Sequence, residues 1–257
     1  MMLVFLYILN VVLITRAPWV FYDEQVRSSV LAAGFVIQLS ALLLLQWGLA
    51  VLFMIAGIIL INLLTWFLER RMINQGVKLG ARLVGLACWL MVLGFLCSDL
   101  LDVSFSDWTI KMIHRTRELS DALDLIGQKH LLIILACCAG TFLAVVEANT
   151  AVRFLFQTLN VKPAIKRGDK PGGPTLIDQV EYNRGRVIGA LERLITFFFV
   201  LKGAYGALAF LIAAKGMTRF KQLDDREFAE YFLIGTFLSI ILAGSAALIT
   251  QCLIEIW

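Results

Sequence analysis

From Ser28 to Leu68 the chain runs for 41 residues without a single charged side chain. At about 1.5 Å per residue one helix of that length would reach roughly 60 Å, about twice the hydrocarbon core of a bilayer. The run therefore predicts two membrane spans. Its polar interruption, Gln46-Trp47-Gly48, supplies the expected turn near a lipid-water boundary. Composition points the same way: 60% of residues are apolar, mean hydropathy is +0.84, and the charges are confined to a few stretches. A separate soluble catalytic domain has no room, because the longest polar stretches, Asp99 to Lys129 and Ala151 to Arg186, fall below the size that normally sustains an independent core.

The apolar start, Met2 to Thr15, lacks a basic leading segment and a small-residue cleavage site before Arg16, so it reads as a retained anchor and first span. Cys88, Cys97, Cys137, Cys138 and Cys252 lie in or at the ends of apolar segments. They behave there as small hydrophobes and show neither a disulfide framework nor metal-ligand spacing. His114 and His130 stand alone near loops, where a surface imidazole is the ordinary reading.

Basic residues set orientation. Arg70, Arg71, Lys78 and Arg82 follow the third span, and Arg153, Lys162, Lys166, Arg167, Lys170, Arg184 and Arg186 follow the fifth, so both segments are expected in the cytoplasm. The resulting layout has N-terminal transmembrane helices over 1–98 and an extracytoplasmic amphipathic segment over 99–129. A further span over 130–150, a basic cytoplasmic loop over 151–186 and a C-terminal transmembrane module over 187–257 complete it. In the outer segment Met112, Thr116, Leu119, Leu123 and Ile126 form a narrow apolar stripe on a predicted helix. Lys111, Arg115, Glu118 and Asp121 make its solvated face.

The C-terminal third carries charge where lipid is expected. Glu192, Arg193 and Lys202 interrupt the apolar stretch Val187 to Ala214, Lys215 closes it, and Lys202-Gly203-Ala204-Tyr205-Gly206 reads as a break between two short helices. The basic cluster Lys215, Arg219, Lys221 and Arg226 favours a return to the cytoplasm, hence a re-entrant hairpin. Phe228 to Ile254 forms the last span. Two readings of Glu192, Arg193, Lys215 and Glu230 stay open: pairing inside a bundle, or anchoring of helix ends at the interface.

Small residues recur every four positions in two spans: Ala136, Gly140, Ala144 and Ala148, then Gly235, Ser239, Ala243 and Ala247. Such stripes let helix backbones approach closely; packing within one bundle, subunit contact and pore lining are all compatible with them. A pore from one chain with so few polar membrane residues is hard to build, so conduction calls for a homo-oligomer, a tetramer among the candidates. Over Ala151 to Arg186 the net charge is +4, a juxtamembrane pattern suited to anionic lipid. The same pattern would also hold a phosphate-bearing ligand, on Lys162, Lys166, Arg167, Lys170, Arg184 and Arg186. Phe156 and Tyr182 offer weak candidates for base stacking. Gly168 to Thr175 is Gly-rich but lacks the Gly-Lys-Ser/Thr ending of a phosphate loop. No nucleophile-and-base set, metal set or cofactor motif is suggested by spacing, so the chain reads as no enzyme.

The succession Gly189-Ala190-Leu191-Glu192-Arg193, Ala213-Ala214-Lys215, Arg219-Phe220 and Ala229-Glu230-Tyr231-Phe232-Leu233-Ile234-Gly235-Thr236 resembles the C-terminal module of a family of bacterial multi-pass inner-membrane proteins whose activity is not assigned. The match covers Gly185 to Ala247. The whole layout is similar to the transmembrane effectors of Hailong-type antiphage systems, in which a nucleotidyltransferase partner supplies an oligonucleotide signal. That resemblance implies an oligomeric ion channel with an electropositive cytoplasmic surface that binds DNA and is held inactive by it. The six basic-loop residues would then form that surface by charge and side, since no motif of that family aligns with them one by one.

The sequence thus predicts an all-α fold, a polytopic transmembrane helical bundle of about six to seven membrane segments with a re-entrant helical hairpin. It predicts a bacterial inner-membrane location. The expected function is a ligand-controlled oligomeric ion channel acting in antiphage defence. The alternatives are a small secondary transporter with a midplane site at the broken hairpin, and a membrane scaffold for a soluble partner.

Overall fold

The computed structural model describes residues 1–22, 26–72, 74–96, 103–115, 117–159 and 179–255, and leaves aside the side chains at 117–126 and 179–184 among others. Among the described residues it is built of helices without a strand. Five are long and apolar enough to cross a membrane: Met2–Val20, Leu49–Arg71, Gln75–Phe95, Gly127–Thr158 and Phe228–Glu255. Ser28–Leu42 and Tyr205–Thr218 are shorter apolar helices. The chain divides into two compact units, residues 1–142 with the end from 252 onward, and residues 143–251.

In the first unit α1 (Met2–Arg16), α2 (Ser28–Leu42), α3 (Leu49–Arg71), α4 (Gln75–Leu96), α5 (Asp107–Arg115) and α6 (Arg117–Phe142) follow in order. α1 is the central helix and packs against α2, α4 and α6. It buries Leu6, Ile8, Leu9, Val12 and Leu13. α3 and α4 turn Leu60, Leu63, Phe67 and Met91 outward. A continuous apolar surface of that kind is what lipid covers and water does not. Polar side chains tie the helices together. Gln38 Nε2 donates to Thr15 Oγ1 at 2.8 Å and Asn62 Nδ2 donates to Gln38 Oε1 at 2.8 Å, linking α1, α2 and α3 where few other polar partners are at hand.

The charge-free run breaks as expected, though α2 ends at Leu42, before the Gln46-Trp47-Gly48 interruption. The reason is a partner for its exit. Gln46 N donates to Ser104 O, Ser106 N donates to Leu44 O, and Thr109 Oγ1 donates to Leu44 O, so backbone pairing replaces the last helical turn. At the opposite end of this unit Arg16, Val26, Ser28, Glu69, Arg70 and Arg82 converge. Arg82 donates to Glu69 through Nε at 2.6 Å and Nη2 at 3.1 Å, and to Tyr22 O at 3.3 Å. Arg16 donates to Arg82 O at 2.9 Å and lies 4.5 Å from the Trp19 ring. Arg16, Glu69 and Arg82 are each 3% exposed. The four basic residues expected in a short loop after the third span are therefore not all in a loop: Arg70 and Arg71 end α3, and Lys78 and Arg82 belong to α4 and are buried.

Of the stripe predicted over Met112 to Ile126, Met112 lies in α5 and Leu119, Leu123 and Ile126 lie in α6, while Thr116 lies outside the described residues; beyond the stripe α6 is interrupted at Gly127, whose φ of 70° is left-handed. Glycine takes that conformation without the cost a Cβ imposes.

The second unit holds a π turn (Leu143–Glu147), α7 (Ala148–Thr158), α8 (Gln179–Leu201), α9 (Tyr205–Thr218) and α10 (Arg226–Glu255). Its core is Phe197, fully buried with Val200 against Ala144, Ala243, Ala246 and Ala247. The two small-residue stripes thus meet in one cluster, where alanine lets the backbones close on a phenyl ring.

Candidate functional site

α8 ends at a glycine cap. Gly203 has φ of 66°, its N–H donates to Val200 O at 3.0 Å and Ala204 N–H donates to Phe199 O at 2.8 Å, the paired bonds of a Schellman motif. α9 then returns along α8. Glu192 precedes Gly203 by eleven residues and Lys215 follows it by twelve, so both stand roughly 17 Å from the turn. They meet there as an ion pair, Lys215 Nζ donating to Glu192 Oε2.

Beside the pair lies a cavity of about 20 Å³ lined by Glu192, Thr196, Leu211, Ile212, Lys215, Thr236, Ser239 and Ile240. Thr236 is 7% exposed and its Oγ1 has no hydrogen-bond partner. α10 contributes the hydroxyls of Thr236 and Ser239 and the apolar Ile240 to this space, and no charge. Thr236 and Ser239 follow Phe228 by eight and eleven residues, roughly 12 and 17 Å into that long apolar helix. On the other side of the pair Lys215 Nζ lies 5.5 Å from the Phe232 ring centre, and Arg219 lies 6.0 Å from the same ring.

The remaining predicted site residues fall elsewhere. Arg193 turns away from the cavity and is buried against the π turn and α7, donating to Asn149 Oδ1 at 3.2 Å and Val145 O at 3.4 Å. A π turn shifts the helical bonding pattern, and here Val145 offers its carbonyl to that guanidinium. Glu230 stands apart on the first turns of α10, exposed, taking Arg226 Nε at 2.9 Å. Arg186 is half-buried in α8 and already engaged. Arg184 lies in the same helix with its side chain outside the description, and Lys162, Lys166, Arg167 and Lys170 lie outside the described residues.

Among the small residues, Ala136, Gly140, Ala144, Ala148, Ser239, Ala243 and Ala247 are buried and Gly235 is half-buried. Phe156, a candidate for base stacking, is committed to packing instead: its ring lies 5.0 Å from that of Tyr231. A Cβ on Gly235 would come within 2.8 Å of Phe156 Cζ. Gly235→Ala should therefore lower stability by about 1–3 kcal/mol in detergent thermal unfolding. Combining it with Phe156→Leu should recover part of the loss; an unchanged Gly235→Ala protein would contradict the close approach.

Glu147, Asn149, Thr196 and Thr236 were not singled out by sequence. A buried glutamate inside the fifth apolar stretch was the available signal, since ionisable groups at that depth rarely lack a role. Compared with known proteins, the chain matches no family model, no curated protein and no solved structure.

Proposed function

We propose that this chain passes ions across a bacterial inner membrane as a homo-oligomeric channel whose opening is set by a phosphate-bearing ligand. The observation that carries this reading is the Glu192–Lys215 pair with its hydroxyl-lined cavity, placed among helices whose other faces are apolar. Charges in such surroundings are costly and mark ion paths, and a broken hairpin is a known means of making polar surface at depth. In this reading α2 and the α8–α9 hairpin complete the six to seven membrane segments, with the hairpin entering and leaving from the cytoplasmic side. The basic stretch, 151–186, supplies a salt-sensitive surface for an oligonucleotide or single-stranded DNA. A role as an antiphage effector with a nucleotidyltransferase partner belongs to the same proposal and rests on resemblance alone.

A second reading, a small secondary transporter, is favoured by the hairpin broken at Gly203 with a charged pair on its two arms, an arrangement that suits alternating access. Reconstitution into liposomes, after a high-salt wash to strip nucleic acid, tests the first reading. Ion flux is expected, falling at least about tenfold in Glu192→Ala and on adding oligonucleotide at low salt. Flux that saturates and requires a coupling ion selects the transporter. Absence of flux removes both.

A further inference from the structure

We infer that the Glu192–Lys215 cavity binds one water and exchanges protons, so that the ion handled at this site is the proton; this deepens, and rests on, the ion-passing reading above. Three observations converge. The cavity, about 20 Å³, exceeds the roughly 10–15 Å³ a single water needs. The carboxylate is already balanced by an ammonium in contact with it, so the pair offers no net charge to hold an alkali or halide ion. Thr236 Oγ1, buried and unpartnered, asks for a group that both donates and accepts, as water does.

The charged groups around Glu192 are Lys215 from α9, Arg193 on its own helix, and Glu147 in the π turn packed on α8. α10 presents the hydroxyls of Thr236 and Ser239 and the apolar Ile240 to the cavity, without a charged group. A proton arriving from bulk water as hydronium passes to the second carboxylate oxygen of Glu192. The carboxylate becomes a carboxylic acid, the hydronium becomes water, and Lys215 loses its counter-charge. Lys215 Nζ already lies 5.5 Å from the Phe232 ring centre while it is paired, and that ring still stabilises the cation once the carboxylate is neutralised. Return of that proton to water on the opposite side restores the carboxylate and the ion pair. The Lys215 ammonium keeps its own protons throughout.

The test is proton flux into proteoliposomes loaded with a pH-sensitive dye, with a potassium diffusion potential set by valinomycin. Wild type should acidify or alkalinise the lumen according to the sign of the potential. Glu192→Gln should cut that rate by about two orders of magnitude, and Thr236→Val, which removes one hydroxyl while preserving shape, should slow it in the same direction. Asp224→Asn, exposed in the turn before α10, should leave it unchanged. Should Glu192→Gln fail to assemble, Thr236→Val carries the test alone. Proton flux insensitive to both cavity variants overturns the inference. So does a wild type that carries potassium or chloride but no protons, an outcome that leaves the ion-passing reading standing. A wild type that passes no ion removes the reading and the inference with it.

Discussion

Glu69→Ala is expected to destabilise the first unit by about 3–5 kcal/mol, because it strands a buried guanidinium without its counter-charge. Glu69 takes Arg82 through Nε at 2.6 Å and Nη2 at 3.1 Å and accepts Val26 N–H at 3.4 Å, so one carboxylate joins α3, α4 and the segment entering α2. The side chains of the pair are 3% and 4% exposed, which removes the screening that makes surface ion pairs weak. Arg16 and Arg82 both lie over Trp19, with guanidinium carbons 4.5 and 5.9 Å from its ring centre, and without Glu69 two cations share one indole with no carboxylate between them. The double replacement Glu69→Leu with Arg82→Met removes both charges and should lie closer to wild type than Glu69→Ala does. Unfolding in detergent, by heat or by denaturant, ranks the three proteins. A Glu69→Ala protein within about 1 kcal/mol of wild type would contradict the buried-pair account. The exposed Arg226–Glu230 pair on α10 is the control, and Arg226→Ala should produce no detectable change.

The same residues explain what sequence could and could not tell. The break inside the charge-free run was legible because no single helix of that length fits a bilayer, and Gly203 was legible because Lys202-Gly203-Ala204 interrupts an apolar pattern with the residue that takes a left-handed φ. The place where α2 stops was not. It is set by backbone bonds from Leu44 and Gln46 to Ser104 and Ser106, nearly sixty residues along the chain, and periodicity has no access to such partners. A charge tally treats Lys78 and Arg82 as topology markers because it records only sign and position. Whether a charge closes onto Glu69 or faces water depends on how α3 and α4 meet. The Glu192–Lys215 pairing was half legible: equal distances from a glycine turn bring the two together once the chain is known to fold back. Thr236 carried no signal of its own, since threonine in an apolar helix commonly returns its hydroxyl to a carbonyl one turn earlier. Only the missing bond makes it stand out.

Arg193 and Asn149 should separate stability from function by sign. Arg193 is 5% exposed, yet its bonds are one to Asn149 Oδ1 at 3.2 Å and one to Val145 O at 3.4 Å, while its own Nε and the amide nitrogen of Asn149 are buried without partners. A guanidinium brings five N–H donors, so this burial is poorly compensated. Asn149→Ala removes the better of the two acceptors and should cost about 2–3 kcal/mol. Arg193→Met, similar in length and free of charge, should be neutral or should raise stability by about 1–4 kcal/mol, as buried ionic groups often allow. Under the ion-passing proposal above, a charge held at a cost to stability would be kept for what it does to the path. Arg193→Met should accordingly combine unfolding at or above the wild-type temperature with reduced or altered ion flux in liposomes. An Arg193→Met protein less stable than Asn149→Ala would show instead that the guanidinium holds α8 to the π turn, and the argument that function maintains it would fall.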